Sequence, residues 1–227
     1  MKAAIPYLDK QLPLEFPSEN LLAVAEPNEY RTDMTAEELI AAALAAPYGP
    51  AGTPADAEAA KGRGAGLAEF VRGGKRLLVI INDATRPTPT ETILTGLLPA
   101  VEAAAPGRAL TLMVATGAHR AATENEYRQI LGRHYAALRE CCVCHDARND
   151  ADMVDIGATR NGTPMLLNRR LFEADRIIAT GSVEPHYFAG FTGGRKAFLP
   201  GIAAYKTVEA NHKLALSPAA RSLALDG

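Results

Sequence analysis

Arg76-Leu77-Leu78-Val79-Ile80-Ile81-Asn82-Asp83-Ala84-Thr85-Arg86 is the stretch that decides the fold. Leu77 to Ile81 is an unbroken apolar run, without the alternation of a strand that keeps one face wet. Such a run fits a strand covered on both faces. Polar residues follow it at once, and then Thr88 with Glu91 reads as a capping box, with Pro89 at the first helical position. Ile93, Leu94, Leu97, Leu98 and Val101 give that helix one apolar face, and Pro106 with Gly107 stops it. Leu110 to Ala115 reads as the next strand, and Thr123 with Glu126 caps the next helix. Cys141 to Cys144 is a third strand. After a short segment around Met165 to Leu167 and a turn of helix, Arg176 to Ala179 is a fourth. Alternating strand and helix predicts an α/β fold with a doubly wound, mostly parallel sheet and helices on both faces.

Toward the amino terminus the pattern weakens. The first 25 residues alternate loosely, as in Leu12, Leu14 and Phe16, and read as short strands with Pro-marked turns in an irregular β-containing segment. Thr35 to Ala46 reads as a helix, with Thr35 and Glu38 as a capping box ahead of Leu39, Ile40, Ala43 and Leu44. Pro47 to Gly66 is rich in Ala, Gly and Pro, as expected of a loop with a weak helix. No internal repeat is visible.

Composition narrows the class. With 48% apolar residues and a net charge of -2, the 227-residue chain reads as an ordinary globular protein with no basic field for nucleic acid. An anionic ligand would have to be caught by local arginines and lysines. Met1 to Asp9 lacks the basic start and apolar run of a signal peptide, and no stretch approaches the roughly 20 apolar residues of a membrane span. Cys141, Cys142 and Cys144 are too closely spaced for a disulfide framework, which points to a reducing, cytoplasmic setting. Cys-Cys-Val-Cys-His reads either as a buried strand or as a soft metal cluster, the strand being the commoner explanation.

The placement of polar residues is more informative. Asp83 to Arg86 follows the first regular strand, and His119 with Arg120 follows the second through Thr116 and Gly117. His145 with Asp146 follows the third, and Ser182 to Lys196, holding His186, follows the fourth. In an open parallel sheet the carboxyl ends of the strands lie along one edge, where ligands bind. The four clusters are therefore expected to meet in one crevice. Ser182 to Lys196 is too long and glycine-rich for a plain turn, and Gly190, Gly193 and Gly194 would let its backbone approach a ligand. It is not a Walker loop, since Ala197 follows Lys196 and the glycine spacing differs. No strand leads into Gly-x-Gly-x-x-Gly, which disfavours a nicotinamide dehydrogenase; Gly62, Gly64 and Gly66 sit in an Ala-rich linker. His212 falls on a helix expected from Ala203 to Leu214, where a lone histidine is as readily a surface residue as a ligand. His134 reads as helix surface.

Taken in order, Asp83 to Pro89, Thr116-Gly117-Ala118-His119-Arg120, His145-Asp146, Pro185 to Lys196, Leu199-Pro200-Gly201 and Asn211-His212 resemble the nickel-pincer-nucleotide enzymes of the lactate racemase family. The resemblance runs from about Leu77 onward and covers the amino-terminal half of such enzymes. It implies a Rossmann-like domain and a 2-hydroxyacid racemase or epimerase. Its cofactor would be the nickel-pincer nucleotide, a Ni(II) pyridinium-3,5-bisthiocarboxylic acid mononucleotide. Lys196 matches the lysine that carries this cofactor covalently. His212 matches the histidine that completes square-planar nickel beside two sulfurs and a carbon, a donor set suited to that metal. Asp83, Thr85 and Arg86 match the cofactor-contacting motif, with Arg86 also near the substrate carboxylate. His119 and His186 match the paired acid–base histidines. Asn82 stands where many relatives carry a second aspartate.

The implied chemistry explains these residue types. The C2 proton of a 2-hydroxyacid is weakly acidic, so inversion through a carbanion is hard. Removing hydride to a pyridinium-like carbon, while a histidine takes the hydroxyl proton, gives a planar ketoacid that can be rebuilt on either face. Each enantiomer then needs its own base. Relatives are roughly twice as long, so residues 1–227 are expected to be the amino-terminal cofactor-binding domain, with a carboxy-terminal domain outside the chain supplying further substrate groups. The expected partners are a small 2-hydroxyacid and the cofactor-making enzymes. Two other readings stay open: a cofactor-binding domain inactive by itself, and a related oxidoreductase on the same cofactor.

Overall fold

A computed structural model describes residues 2–7, 10–23, 31–45 and 66–224. Most of the Ala-, Gly- and Pro-rich stretch anticipated from Pro47 lies outside the described residues. The chain divides into two units, Met1–Met34 and Thr35–Gly227.

The first unit is a hairpin. Strands β1 (Lys2–Tyr7) and β2 (Lys10–Glu15) pair antiparallel, with Lys2 opposite Glu15 and Tyr7 opposite Lys10. A 3-10 turn at Ser18–Asn20 follows.

The second unit opens with α1 (Ala36–Ala45), whose capping box forms as expected. The Thr35 amide donates to Glu38 Oε2 at 2.7 Å and the Glu38 amide to Thr35 Oγ1 at 3.2 Å. A short α2 (Leu67–Val71) leads to β3 (Arg76–Asn82), in which Leu77 to Ile81 are all at most 1% exposed. Then come α3 (Thr90–Ala104), β4 (Ala109–Ala115), α4 (Glu124–Leu131), α5 (Tyr135–Leu138) and β5 (Cys142–Cys144). A hairpin of β6 (Met153–Ala158) and β7 (Pro164–Asn168) precedes α6 (Arg170–Glu173) and β8 (Arg176–Ala179).

β5, β4, β3 and β8 lie side by side in that order, all parallel. Side chains alternate across this sheet. Leu77, Val79, Ile81, Leu112 and Val114 point to one face, where Leu94, Leu97 and Val101 of α3 and Ile130 and Leu131 of α4 cover them. Leu78, Ile80 and Met113 point to the other, packed against Leu171 of α6, Phe198 and Ile202. Burial on both faces explains why β3 reads as continuous apolar sequence. The expected α/β architecture with a parallel sheet flanked by helices is thus the observed one. No helix among the described residues is long and apolar enough to cross a membrane.

One local expectation needs correction. Thr88 and Glu91 form no capping box. Pro89 precedes a helix that starts at Thr90, the Thr90 amide turns back to the Thr88 carbonyl, and Thr88 Oγ1 is buried without a partner. Glu91 instead accepts from Arg133 Nε at 2.7 Å, which holds its carboxyl below the ordinary range. By contrast Thr123 and Glu126 form a complete box at the start of α4. The short segment around Met165 to Leu167 belongs to β7, half of an antiparallel hairpin off the main sheet. Its partner β6 carries Asp155 and Gly157 inside a bulged register, a pattern too irregular to read as a strand.

Candidate active site

Loops from the carboxyl ends of β3, β4 and β8 meet in a cleft of about 220 Å³. Asp83 and Arg86 come from the first loop, Thr116 to His119 from the second, and His186 with Lys196 from the segment after β8. His212, on α7 (Tyr205–Lys213), completes the wall.

Asp83 and His119 are coupled. The carboxylate can only accept, so His119 Nδ1 donates to Asp83 Oδ2, at 2.7 Å, and in the neutral ring the lone pair is then on Nε2. Asp83 is 8% exposed, and its other oxygen accepts the Thr85 hydroxyl at 2.6 Å and the Thr85 amide at 3.2 Å. Thr85 does not line the main cleft. It fixes Asp83 from behind, beside an adjoining pocket of about 300 Å³ that Asp83 and His119 also border. Arg120 is drawn away from the cleft by a two-pronged pair with Glu126, both contacts at 2.8 Å. The Glu126 carboxyl is accordingly pushed down to about 2.

The glycine-rich segment folds into a tight hairpin of β9 (Pro185–His186) and β10 (Gly190–Phe191), followed by a 3-10 turn at Gly194–Ala197. Thr192 braces it by donating its hydroxyl to the Ser182 carbonyl and accepting the Glu184 amide. At Gly193 φ is +74°, and an added Cβ would come within 2.7 Å of the Ser182 carbonyl oxygen. Glycine is required there by both conformation and space.

His186 has the opposite tautomer from His119. Its Nδ1 accepts the Ala189 amide at 3.3 Å, so the neutral ring carries its proton on Nε2. Burial holds its pKa below the ordinary value, and Lys196, Arg86 and His212 add positive charge nearby. Lys196 is depressed chiefly by burial, then by Arg86 and Arg195. Phe188, which the sequence reading did not single out, stands among these groups. Its ring meets His186 edge-on at 4.6 Å and His212 at 5.7 Å, and the Lys196 ammonium sits 5.7 Å from its centroid. An aromatic inside a glycine-rich loop was the available signal.

One expected member is absent from the cleft. His145 is fully buried beneath it, and Asp146 is exposed and accepts the Arg148 amide in a local turn. β5 is only three residues long and ends below the rim, so its following residues turn into the protein. The cysteines before it serve packing. Cys142 is buried, and that burial pushes its thiol up to about 12.

Residues 7–222 match the family described as lactate racemase N-terminal domain. The chain belongs to that family. It is 32% identical over 210 residues to a lactate racemase of Thermoanaerobacterium thermosaccharolyticum, covering 92% of this chain and 46% of the relative. It is 40% identical over 158 residues to a lactate racemase of Lactiplantibacillus plantarum, covering 69% of this chain and 37% of the relative. The structure of the lactate racemase apoprotein from T. thermosaccharolyticum superimposes with a TM-score of 0.79 at 32% identity, over 100% of this chain and 50% of that one. A Thermotoga maritima crystal structure matches with a TM-score of 0.61 at 26% identity, over 71% of this chain and 42% of its own. The chain thus spans less than half the length of the curated relatives it matches.

For this lactate racemase family domain, one stability prediction follows from the loop that seats Lys196. Gly201 donates its amide to the Lys196 carbonyl and accepts the Gly117 amide at 2.9 Å. A Cβ at Gly201 would overlap the Ala197 carbonyl. Gly201→Ala should therefore cost about 1–3 kcal/mol by overpacking, measured as a lower urea midpoint.

Proposed function

We propose that this chain is the cofactor-bearing half of a 2-hydroxyacid racemase or epimerase that uses a nickel-pincer nucleotide held through Lys196 and His212. The observation that carries this reading is the meeting of Asp83–His119, Arg86, His186, Lys196 and His212 in one cleft.

The residues fit such a cofactor. Lys196 is a desolvated amine with a lowered pKa, so more of it is neutral and nucleophilic at neutral pH than for a free lysine. Among the described residues no group of three or more His, Cys, Asp or Glu side chains is placed to hold a metal alone. His212 would thus be a single protein ligand to a metal whose other donors come with the cofactor. Gly117, Gly181 and Gly193 line the cleft and leave it room for a flat ring system and a phosphate. When bound, the cofactor supplies a carbon that reversibly accepts hydride from C2 of the hydroxyacid.

The chain's own residues would handle charge and protons. Arg86 pairs with the substrate carboxylate. His119, with its Nε2 lone pair free, takes the hydroxyl proton of one enantiomer, and Asp83 stabilises the imidazolium that results. His186, entering as the imidazolium, returns its Nε2 proton to the ketone oxygen of the planar form and is left neutral. Their protonation states then exchange, which equips the site for the opposite direction.

The test is intact mass and nickel content after co-expression with the cofactor-making enzymes. The expected result is one covalent adduct with about one nickel per chain. Unmodified, nickel-free protein from cells that load a full-length relative would overturn the reading. The chain's coverage of its relatives leads us to expect cofactor loading by this domain and full racemisation only in the full-length arrangement.

A further inference from the structure

Buried polar side chains in this fold are few, and four of them, Thr116, His145, Asn168 and Thr207, lie along one path beneath the cleft. The Thr116 hydroxyl, at the end of β4, donates to the His145 carbonyl at 2.7 Å. His145 sits just past β5 and is fully buried. Its Nε2 lies 3.0 Å from the Ala203 carbonyl and its Nδ1 lies 3.1 Å from Asn168 Nδ2. A carbonyl only accepts, so Nε2 carries the proton. Asn168 Oδ1 already accepts the Arg170 amide, so its Nδ2–H₂ faces Nδ1 as a donor. Every partner therefore fixes His145 as the neutral Nε2–H tautomer.

The same residues hold the segment that leads into α7. The Asn168 amide donates to the Ile202 carbonyl, the Ala204 amide to the Leu166 carbonyl and the Tyr205 amide to the Ala147 carbonyl, while Thr207 Oγ1 accepts the Leu166 amide. The peptide groups just before α7 are thus tied to the ends of β5 and β7. His145 is the only imidazole among these ties, and it joins the parallel sheet to the start of the helix that carries His212.

We infer that His145 is a positioning residue that locks the start of α7, and with it His212, through its neutral form. The inference rests on the proposed role of His212 for its functional meaning, but the lock itself does not. Protonating His145 would set an N–H against the donor Nδ2–H₂ of Asn168 and place a charge where no water reaches. Asp146 and Asp152 are the ionisable groups that oppose this by favouring the charged ring, and burial outweighs them, since the His145 pKa lies below its ordinary value. The native state then binds fewer protons here than the unfolded chain. The contribution to stability is complete above the unfolded pKa of about 6.5 and is lost as pH falls toward the depressed folded value.

The test is amide hydrogen exchange of α7 in the unloaded full chain, corrected for intrinsic rate, at pH 7.5 and pH 5.5. In the wild type, exchange at Val208 to Lys213 should be about tenfold faster at the lower pH, equivalent to about 1.4 kcal/mol. Amides of β3 and β4 should stay protected. His145→Gln keeps a donor for the Ala203 carbonyl and cannot titrate, so it should abolish the pH dependence. His145→Phe has no donor, and α7 should exchange faster at both pH values. Asn168→Leu supplies a second variant should His145→Phe fail to fold; it should raise α7 exchange at pH 7.5. Wild-type-like pH dependence in His145→Gln would overturn the inference. On loaded protein, nickel retention should fall in His145→Phe and recover in His145→Gln. A wild type that takes up no nickel would overturn the reading of His212 and leave the lock to be judged by the exchange data.

Discussion

Lys196→Ala should abolish the covalent adduct outright, leaving the bare chain mass after co-expression with the cofactor-making enzymes. The side chain is half-sequestered at the end of the glycine-rich hairpin, with Arg86 and Arg195 as positive neighbours. Both features favour the neutral amine, the form able to attack an acyl carbon. The sign is definite: a depressed pKa keeps the amine reactive at pH values where a free lysine is fully protonated, so loading should persist to lower pH than for a surface lysine. His212→Ala should behave differently, retaining the adduct and losing most of its nickel. Mass spectrometry and metal analysis on the same samples separate the two. An adduct that survives Lys196→Ala would sink the attachment site.

The other large effect concerns His119 and His186. General acid–base help is worth typically 10²–10⁴-fold, so either histidine changed to Ala in the full-length enzyme should lower racemisation by about that factor in both directions. Both directions suffer because each passes through both groups. The half-reaction should divide instead. In one mutant the D-acid should still give ketoacid in a quenched single turnover, and in the other the L-acid should. Equal ketoacid yields from both enantiomers in both mutants would reassign these residues as binding or structural groups. Asp83 belongs with this experiment, since it fixes the tautomer of His119 alone. Asp83→Asn should copy the enantiomer preference of His119→Ala and leave the His186-dependent half-reaction in place.

Legibility in the sequence followed burial. Leu77 to Ile81 could be read as a two-face-buried strand because nothing polar interrupts it, and the Thr123–Glu126 box because both halves of the motif can reach each other. Thr88 and Glu91 had the same spacing and failed, because Arg133, distant in sequence, outcompetes the local amide for the carboxylate. Spacing cannot reveal a rival of that kind. The cleft was legible as far as strand ends predict a shared edge, which placed Asp83, His119, His186 and Lys196 together. His145 obeyed the same rule and was misplaced, since a strand only three residues long does not carry its following loop to the rim. Phe188 and the tautomers of His119 and His186 depend on contacts made only in the folded chain, and only the three-dimensional arrangement displays them.

The parallel order β5-β4-β3-β8 has a consequence for when this cleft comes into existence. Each neighbouring pair in such a sheet is joined by a crossover, so no two strands can meet until a long loop has closed. The cleft draws on groups as far apart in the sequence as Asp83 and His212. A nascent or partly folded chain therefore has a Lys196 but no depressed pKa, no Arg86 beside it and no facing imidazole. Under the proposed attachment, only chains that have finished folding can be charged with cofactor, and the adduct becomes a lasting mark that its carrier once reached the native state.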